Sequence, residues 1–221
     1  MGLLDDLKKQ AEQVKTQQLS KEQLQQHGVK DIDDKAKQLF QYVGELLKQL
    51  VVVKPTNPLV FAIPGVGELK ELKFADSFID YRKKRLADQD CFESIRFYIK
   101  WTSPNNLVIE RDMPQTAQKV RDALTMVGVK FEEEEIRNAK GAVANTKFTV
   151  PAAIVADFQV SVDYEQGKFV IRTKNVMRLG NDDLVIPVTE VTEPLLEEFA
   201  KTMLGEQTKI NRYRVLNVPP R

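Results

Sequence analysis

The chain has 221 residues, 42% of them hydrophobic and 29% charged, and its 33 basic and 32 acidic side chains leave a formal charge of +1. That balance is typical of a soluble globular protein long enough to bury a real core. It lacks the positive excess that counterion release demands of a dedicated duplex binder.

One cysteine, Cys91, excludes an internal disulfide and a cysteine-clustered metal site, and one histidine, His27, leaves little for zinc or for imidazole base chemistry. The opening "MGLLDDLKKQ" has no extended apolar region of the secretory kind, and Asp6 stands where a myristoylation signal at Gly2 asks for Ser or Thr. The apolar run Leu50–Val53 is far too short to span a bilayer. The expectation is a cytoplasmic protein.

Residues 3–26 place Leu3, Leu7, Ala11 and Val14 on one helical stripe, Ser20 and Gln23 resemble a capping box, and His27-Gly28 reads as a helix stop. A second helix follows to about Val52, with Asp31, Asp33 and Asp34 at its positive end. Its seam runs through Ile32, Ala36, Leu39, Val43, Leu46 and Leu50, widened by Phe40 and Leu47. "KPTNP" ends it. The sequence therefore predicts a helical hairpin over 1–53. Three uses are open to it: packing on the chain's own domain, self-association through the seam as in a coiled coil, or lying on a membrane surface. The mixed polar face of 5–26 makes the last the weakest.

From residue 59 the hydrophobic period becomes two. Ile95, Phe97, Ile99 and Trp101 alternate with polar residues, as do Phe158, Val160, Val162 and Tyr164, and "EQG" turns the latter strand into Phe169, Ile171 and Thr173. Helices are predicted at about 114–127, between Pro114 and Gly128, and at about 193–204, between Thr192 and Gly205. "NNLVIERDMPQTAQKVRDALTMVG" (105–128) aligns without gaps to "DDLVIPVTEVTEPLLEEFAKTMLG" (182–205). Flanking matches keep the same order: "FAIP" with "FTVP", two "AD" pairs, two "DY" pairs, and "KFEEEEIRN" with "KINRYRVLN". The predicted fold is α+β: the helical hairpin, then an antiparallel-β-rich domain over 59–217. That domain reads as two tandem ββββαβ-like repeats, about 59–138 and 146–217, with pseudo-twofold symmetry.

"DYRKKRLADQDCFESIRFYIKW" (80–101) holds the basic run Arg82, Lys83, Lys84 and Arg85. The second repeat has only the tight turn "YEQGK" there, so the run reads as an elongated hairpin end, balanced by Asp88, Asp90 and Glu93 and guarding a strand edge. The acidic run Glu132–Glu135 reads as a solvated edge strand, or as a strand pairing with its basic counterpart at 211–214. No G-x-S-x-G, P-loop, G-x-G-x-x-G or H-E-x-x-H is present, and "PGVGE" reads as a turn. Cys91 has no histidine near it in sequence. Asp80 and Asp163, each before a Tyr, could form a carboxylate pair only across a pseudo-twofold axis.

No catalytic, cofactor or metal residues are assigned. The functional expectation is a non-enzymatic interaction or scaffold protein forming homo-oligomers, with Arg82, Lys83, Lys84, Arg85, Tyr98, Arg212 and Arg214 as candidate partner contacts. The alternatives are a carrier or sensor for a small apolar ligand, an enzyme working with carboxylates alone, and a weak nucleic-acid binder. That last reading requires the basic hairpin to meet Lys209, Arg212, Arg214 and Arg221 in one patch.

Overall fold

The computed structural model describes residues 3–86 and 88–215, with side chains from residue 28 onward. The fold is mixed α+β, an N-terminal helix followed by antiparallel sheets.

The helix, α1, runs from Leu3 to Val53 as one element of 51 residues. The expected hairpin is therefore corrected. A glycine inside a helix costs only about 1 kcal/mol relative to alanine, and Gly28 is flanked by Gln, Lys and Leu residues that favour helix. A stop needs a left-handed C-terminal turn, and that comes only at Lys54, with φ of 48° ahead of Pro55.

The seam packs inward. Ala36, Leu39, Val43, Leu47 and Leu50 are buried, with Ile32, Phe40 and Leu46 packed beside them in the same core. The stripe that reads as a coiled-coil seam is thus used up by the chain's own domain. At 1.5 Å per residue α1 is about 76 Å long, whereas a 14-residue strand spans about 47 Å. The sheet covers only part of the helix.

Eleven strands and two further helices follow: β1 (Phe61–Ile63), β2 (Gly67–Leu69), β3 (Lys73–Leu86), β4 (Gln89–Thr102), β5 (Leu107–Arg111), α2 (Pro114–Met126), β6 (Glu132–Arg137), β7 (Val143–Val150), β8 (Ala153–Asp163), β9 (Lys168–Lys174), β10 (Asn181–Pro187), α3 (Glu193–Met203) and β11 (Arg214–Val215). The main sheet has six antiparallel strands in the order β11-β10-β9-β8-β4-β3. A second sheet, β5-β7-β6, lies beside it, and β1 with β2 forms a small hairpin.

Period-two alternation decides the faces of the main sheet. Ile95, Phe97, Ile99 and Trp101 on β4, Phe158 and Val160 on β8, and Phe169 and Ile171 on β9 are all buried. Phe97 stacks on Phe158 at 4.6 Å, and Phe199 of α3 meets both rings edge-on at 6.1 and 5.7 Å. The opposite face, with Arg96, Lys100, Gln159 and Ser161, is open to solvent.

Both later helices start and stop as the sequence predicts, with Pro in the first turn and positive-φ glycines, Gly128 and Gly205, just beyond the end. The last expected strand is mostly a 3-10 turn (Ile210–Tyr213), leaving a two-residue β11. The acidic strand β6 pairs with β7 in the second sheet, so it does not meet residues 211–214. β10 stays on β9, while β5 leaves β4 and pairs with β7.

Gly205 locks α3 to the segment after α1. Its φ is +78°, and an added Cβ would stand 2.5 Å from Asn57 Oδ1 and 2.8 Å from Leu59 Cγ. Asn57 cannot retreat, because it is buried and its Oδ1 accepts the Leu59 N–H at 2.9 Å. Gly205→Ala is expected to lower stability by about 2–4 kcal/mol, from a strained φ plus overlap. Gly28→Ala, with open space around it, should raise stability by about 0.5–1 kcal/mol. Urea unfolding midpoints of the two variants check both signs.

Candidate interaction surface

β3 is an edge strand of the main sheet, and it pairs with β4 from Lys73↔Thr102 to Leu86↔Gln89. Its outer side meets the 55–56 segment at its start, through the Thr56–Lys73 bridge and the Phe74 N–H on Pro55 O at 2.9 Å. Further along, the Ser77 and Tyr81 N–H groups donate to the Asp76 and Asp80 carboxylates at 2.8 Å, with no other strand beside them among the described residues. β3 itself carries an extra residue only at Ala75. A second register shift, at Arg82/Lys83, comes from the extra residue Glu93 on β4, so the β3–β4 ladder is regular over residues 76–82.

The side chains of this strand divide between two surfaces. Ser77, Ile79 and Tyr81 lie opposite Ile99, Phe97 and Ile95, the residues of the buried face, and so stand on the helix side. Between them and α1 runs a groove of about 720 Å³, lined by Phe40, Gly44, Glu45, Leu47, Val51 and Phe78 among others. Gly44 has nothing within 4 Å of its Cβ position, which keeps the groove open at the helix. Val51, Val52 and Val53 are exposed at the groove's end, Val52 by 79%, and Phe78 is 50% exposed. On the solvent side Phe78 stacks on Tyr98 at 5.9 Å, and the Tyr98 hydroxyl donates to Asp76 at 3.1 Å. That hydrogen bond to a carboxylate raises the Tyr98 pKa.

The four cations of the basic run all lie on β3, in the distal part of the β3–β4 hairpin. Lys83 Nζ sits 5.8 Å from the Tyr81 ring centre and 5.5 Å from that of Phe92, and Lys84 Nζ lies 5.2 Å from that of Tyr164. Arg85 meets Asp88 at 3.4 Å, and Arg82 stands opposite Ser94. Arg212 and Arg214 are at the other edge of the sheet. Arg214 pairs with Asp182, while Arg212 donates to the Tyr213 hydroxyl at 2.6 Å and approaches Glu190 at 3.8 Å. Five strand spacings, about 24 Å, separate the two groups. Among the described residues the structure therefore unites Arg82, Lys83, Lys84, Arg85 and Tyr98 on one hairpin and leaves Arg212 and Arg214 apart from them. Arg221 lies outside the described residues.

α1 is tied to the hairpin by a half-buried polar latch. Asp33 Oδ1 accepts the Phe92 N–H at 2.6 Å and the Tyr164 hydroxyl at 2.8 Å, and that hydroxyl also lies 2.9 Å from Phe92 O. The latch sits where β4 carries an extra residue, Glu93, opposite β3. The irregular ladder frees an N–H, and Asp33 satisfies it. Burial and then the hydrogen bond to Asp33 push the Tyr164 hydroxyl far above its ordinary range, while burial and then the Asp33 charge raise the thiol of buried Cys91. A raised thiol is a poor nucleophile. The side chain of His27 lies outside the described residues.

The remaining candidate chemistry does not converge. Asp80 lies opposite Arg96 on β4, which lies opposite Gln159 on β8. Asp163, four positions further along β8, instead accepts the N–H groups of the 165–166 turn. The paired-carboxylate site is thus absent. On β6, Glu133 is held by Arg121 of α2, whose Nε donates at 2.9 Å and lowers its pKa, and Glu135 meets Arg137 at 2.6 Å. No group of three or more His, Cys, Asp or Glu placed to hold a metal ion occurs among the described residues. The apolar space between α1, α3 and the sheet, lined by Leu39, Phe169, Leu196 and Phe199 among others, is about 10 Å³. That is too small for an organic ligand. No described helix is long and apolar enough to cross a membrane.

Comparison with family models, with curated proteins and with solved structures finds no match for this chain.

Sequence reasoning missed Phe78, Gly44 and the exposed valines. One signal pointed to the valines, since the triple valine outlasts the seam. Phe78 gave none, because it keeps period-two phase with buried Phe74 and only the bulge at Ala75 turns it to the other face.

Two outcomes follow from the polar contacts. Tyr164→Phe should cost about 1–2 kcal/mol and Asp33→Ala about 2–3 kcal/mol, since the latter also orphans the Phe92 N–H; chemical denaturation ranks them. Glu198 accepts from Lys209 N, Thr208 Oγ1 and Lys201 Nζ, which pull its carboxyl from 4.5 down to about 2. Its stabilisation is present above pH 4.5 and lost as pH falls towards 2. Glu198→Gln should flatten that part of an acid titration followed by near-ultraviolet circular dichroism.

Proposed function

We propose that this chain is a cytoplasmic, non-enzymatic interaction or scaffold protein that self-associates, and that its contact surface is the edge of β3 with the α1/β3 groove. The observation that carries the reading is the coincidence of an uncovered strand edge, residues 76–86, with an apolar groove of about 720 Å³ alongside it. An edge supplies main-chain hydrogen bonds, and a flanking apolar groove supplies the area that makes strand addition hold. The candidate contacts Arg82, Lys83, Lys84, Arg85 and Tyr98 belong to this surface. Arg212 and Arg214 do not, being engaged with Glu190, Tyr213 and Asp182 at the far edge.

The same reading includes an internal duplication of residues 59–138 and 146–217. The order of elements supports it: β1, β3, β4, β5, α2 and β6, with β2 between β1 and β3 in this unit alone, are followed by β7, β8, β9, β10, α3 and β11. The partnerships have diverged. In the first unit β5 and β6 both flank β7, whereas in the second β10 lies between β9 and β11. Divergence of this kind leaves β3, the counterpart of β8, as an outer strand.

Sedimentation equilibrium of the full chain tests the reading. The expected result is a concentration-dependent mass rising from 25.3 kDa towards twice that value. Val51→Lys with Phe78→Lys should hold the protein at the monomer mass without lowering its melting temperature, because both side chains are half-exposed. A monomer at every concentration would overturn it.

A further inference from the structure

We infer that the occupant of the β3 edge is a second copy of this chain, its β3 running antiparallel to the first about a twofold axis at Tyr81, so that two six-stranded sheets become one continuous sheet. The inference rests on the self-association proposed above and specifies its partner, its surface and its register.

The charges of β3 select this arrangement. The first half of the uncovered edge carries Asp76 and Asp80, and the second carries Arg82, Lys83, Lys84 and Arg85. A parallel copy would set cations against cations and could not close about a twofold axis. An antiparallel copy sets the acidic half against the basic half, and opposite charges directly across a ladder attract while like charges repel. The same four cations turn away generic edges, which is how natural sheets avoid indiscriminate pairing. The basic run thus both guards the strand and admits its own complement.

Register follows from ladder geometry. In an antiparallel pair, residues facing each other share one hydrogen-bonding character, which alternates along each strand. A twofold axis must therefore fall on a residue. An axis on Asp80 sets Asp against Asp, and one on Arg82 sets Arg against Arg. An axis on Ile79 drives Lys83–Arg85 against the Lys73–Ala75 stretch of the other copy, where the bulge and the Thr56 bridge interrupt the edge. An axis on Tyr81 uses the stretch 76–86, in which the extra residue at the Arg82/Lys83 register shift belongs to β4 and not to β3. It places Asp80 opposite Arg82 of the second copy, twice by symmetry, and sets Phe78 against the Lys84 stem.

The groove completes the fit. On the helix side the same register brings Lys83 of the second copy opposite Ile79, and Arg85 opposite Ser77. Ile79 and Ser77 line the groove together with Glu45 and Lys48, which pair with each other at 3.6 Å, so the wall they approach is largely apolar and close to neutral.

A charge-exchange cycle on the full chain, with dimer dissociation followed by sedimentation, tests the register. Asp80→Arg and Arg82→Asp should each raise the dissociation constant at least about tenfold, since each creates two like-charge pairs across the axis. The double variant should return to within about threefold of the parent. Tyr81→Cys should oxidise to a disulfide-linked dimer, because directly opposed residues have Cα atoms about 4.5–5.5 Å apart, inside the range a disulfide spans. Ser77→Cys, distant from its own copy, should not. Dimers that ignore the charge exchange and do not cross-link at position 81 would sink this arrangement while leaving self-association standing. A parent protein that stays monomeric throughout would remove both.

Discussion

The apolar face of the six-stranded sheet has to be kept from water, and the burial of α1 and α3 against it is the contact on which the rest of the structure depends. Ala36, Leu39, Val43, Leu47 and Leu50 lie on that face, with Phe199 edge-on against the stacked pair Phe97 and Phe158. Each fully buried large aliphatic side chain is worth about 1.5–3 kcal/mol. The four larger residues of the α1 stripe together contribute about 6–12 kcal/mol, as much as the entire net stability of an ordinary domain. α1 from residue 32 onward is therefore part of the core, and no partner can take this stripe without unfolding the sheet beneath it.

Covering one face leaves the sheet open in two other ways, because six strands do not close on themselves. One edge ends in β11, two residues long and bracketed by Arg214 with Asp182 and by Tyr213 with Glu190. A short edge offers few main-chain groups to a stranger. The other edge, β3, is long, and its protection is electrostatic. The helix that covers the sheet also builds one wall of the groove beside that edge, so the groove is a by-product of how the core is sealed. Asp33 adds a polar constraint to this apolar one. It satisfies the backbone where the hairpin ladder slips, and so ties α1 to β4 and to Tyr164.

Much of the architecture was legible from local signals. The period-two alternation of Ile95–Trp101 and Phe158–Val162 announced buried faces, and Pro114, Gly128, Thr192 and Gly205 bounded α2 and α3 to within a residue or two. These signals are legible because each arises from the geometry of its own element. His27-Gly28 misled because glycine permits a helix end without compelling one. The seam misled about its partner, since a heptad stripe looks the same whether it faces another helix or a sheet.

Composition, charge and periodicity by themselves determined an α+β chain with a helical N-terminus, a β-rich body, α2 and α3 in their places, and no standard catalytic motif. Tertiary structure alone decided that the seam is internal, that β5 and β6 form a separate sheet around β7, and that Arg82–Arg85 and Arg212–Arg214 stand at opposite edges. It alone decided that Phe78 and Val51 border one groove. The division has a physical cause. Local sequence sets which way a side chain points within its element, but the order of strands in a sheet is settled by contacts between residues far apart in the chain, and only that order says which surfaces remain uncovered.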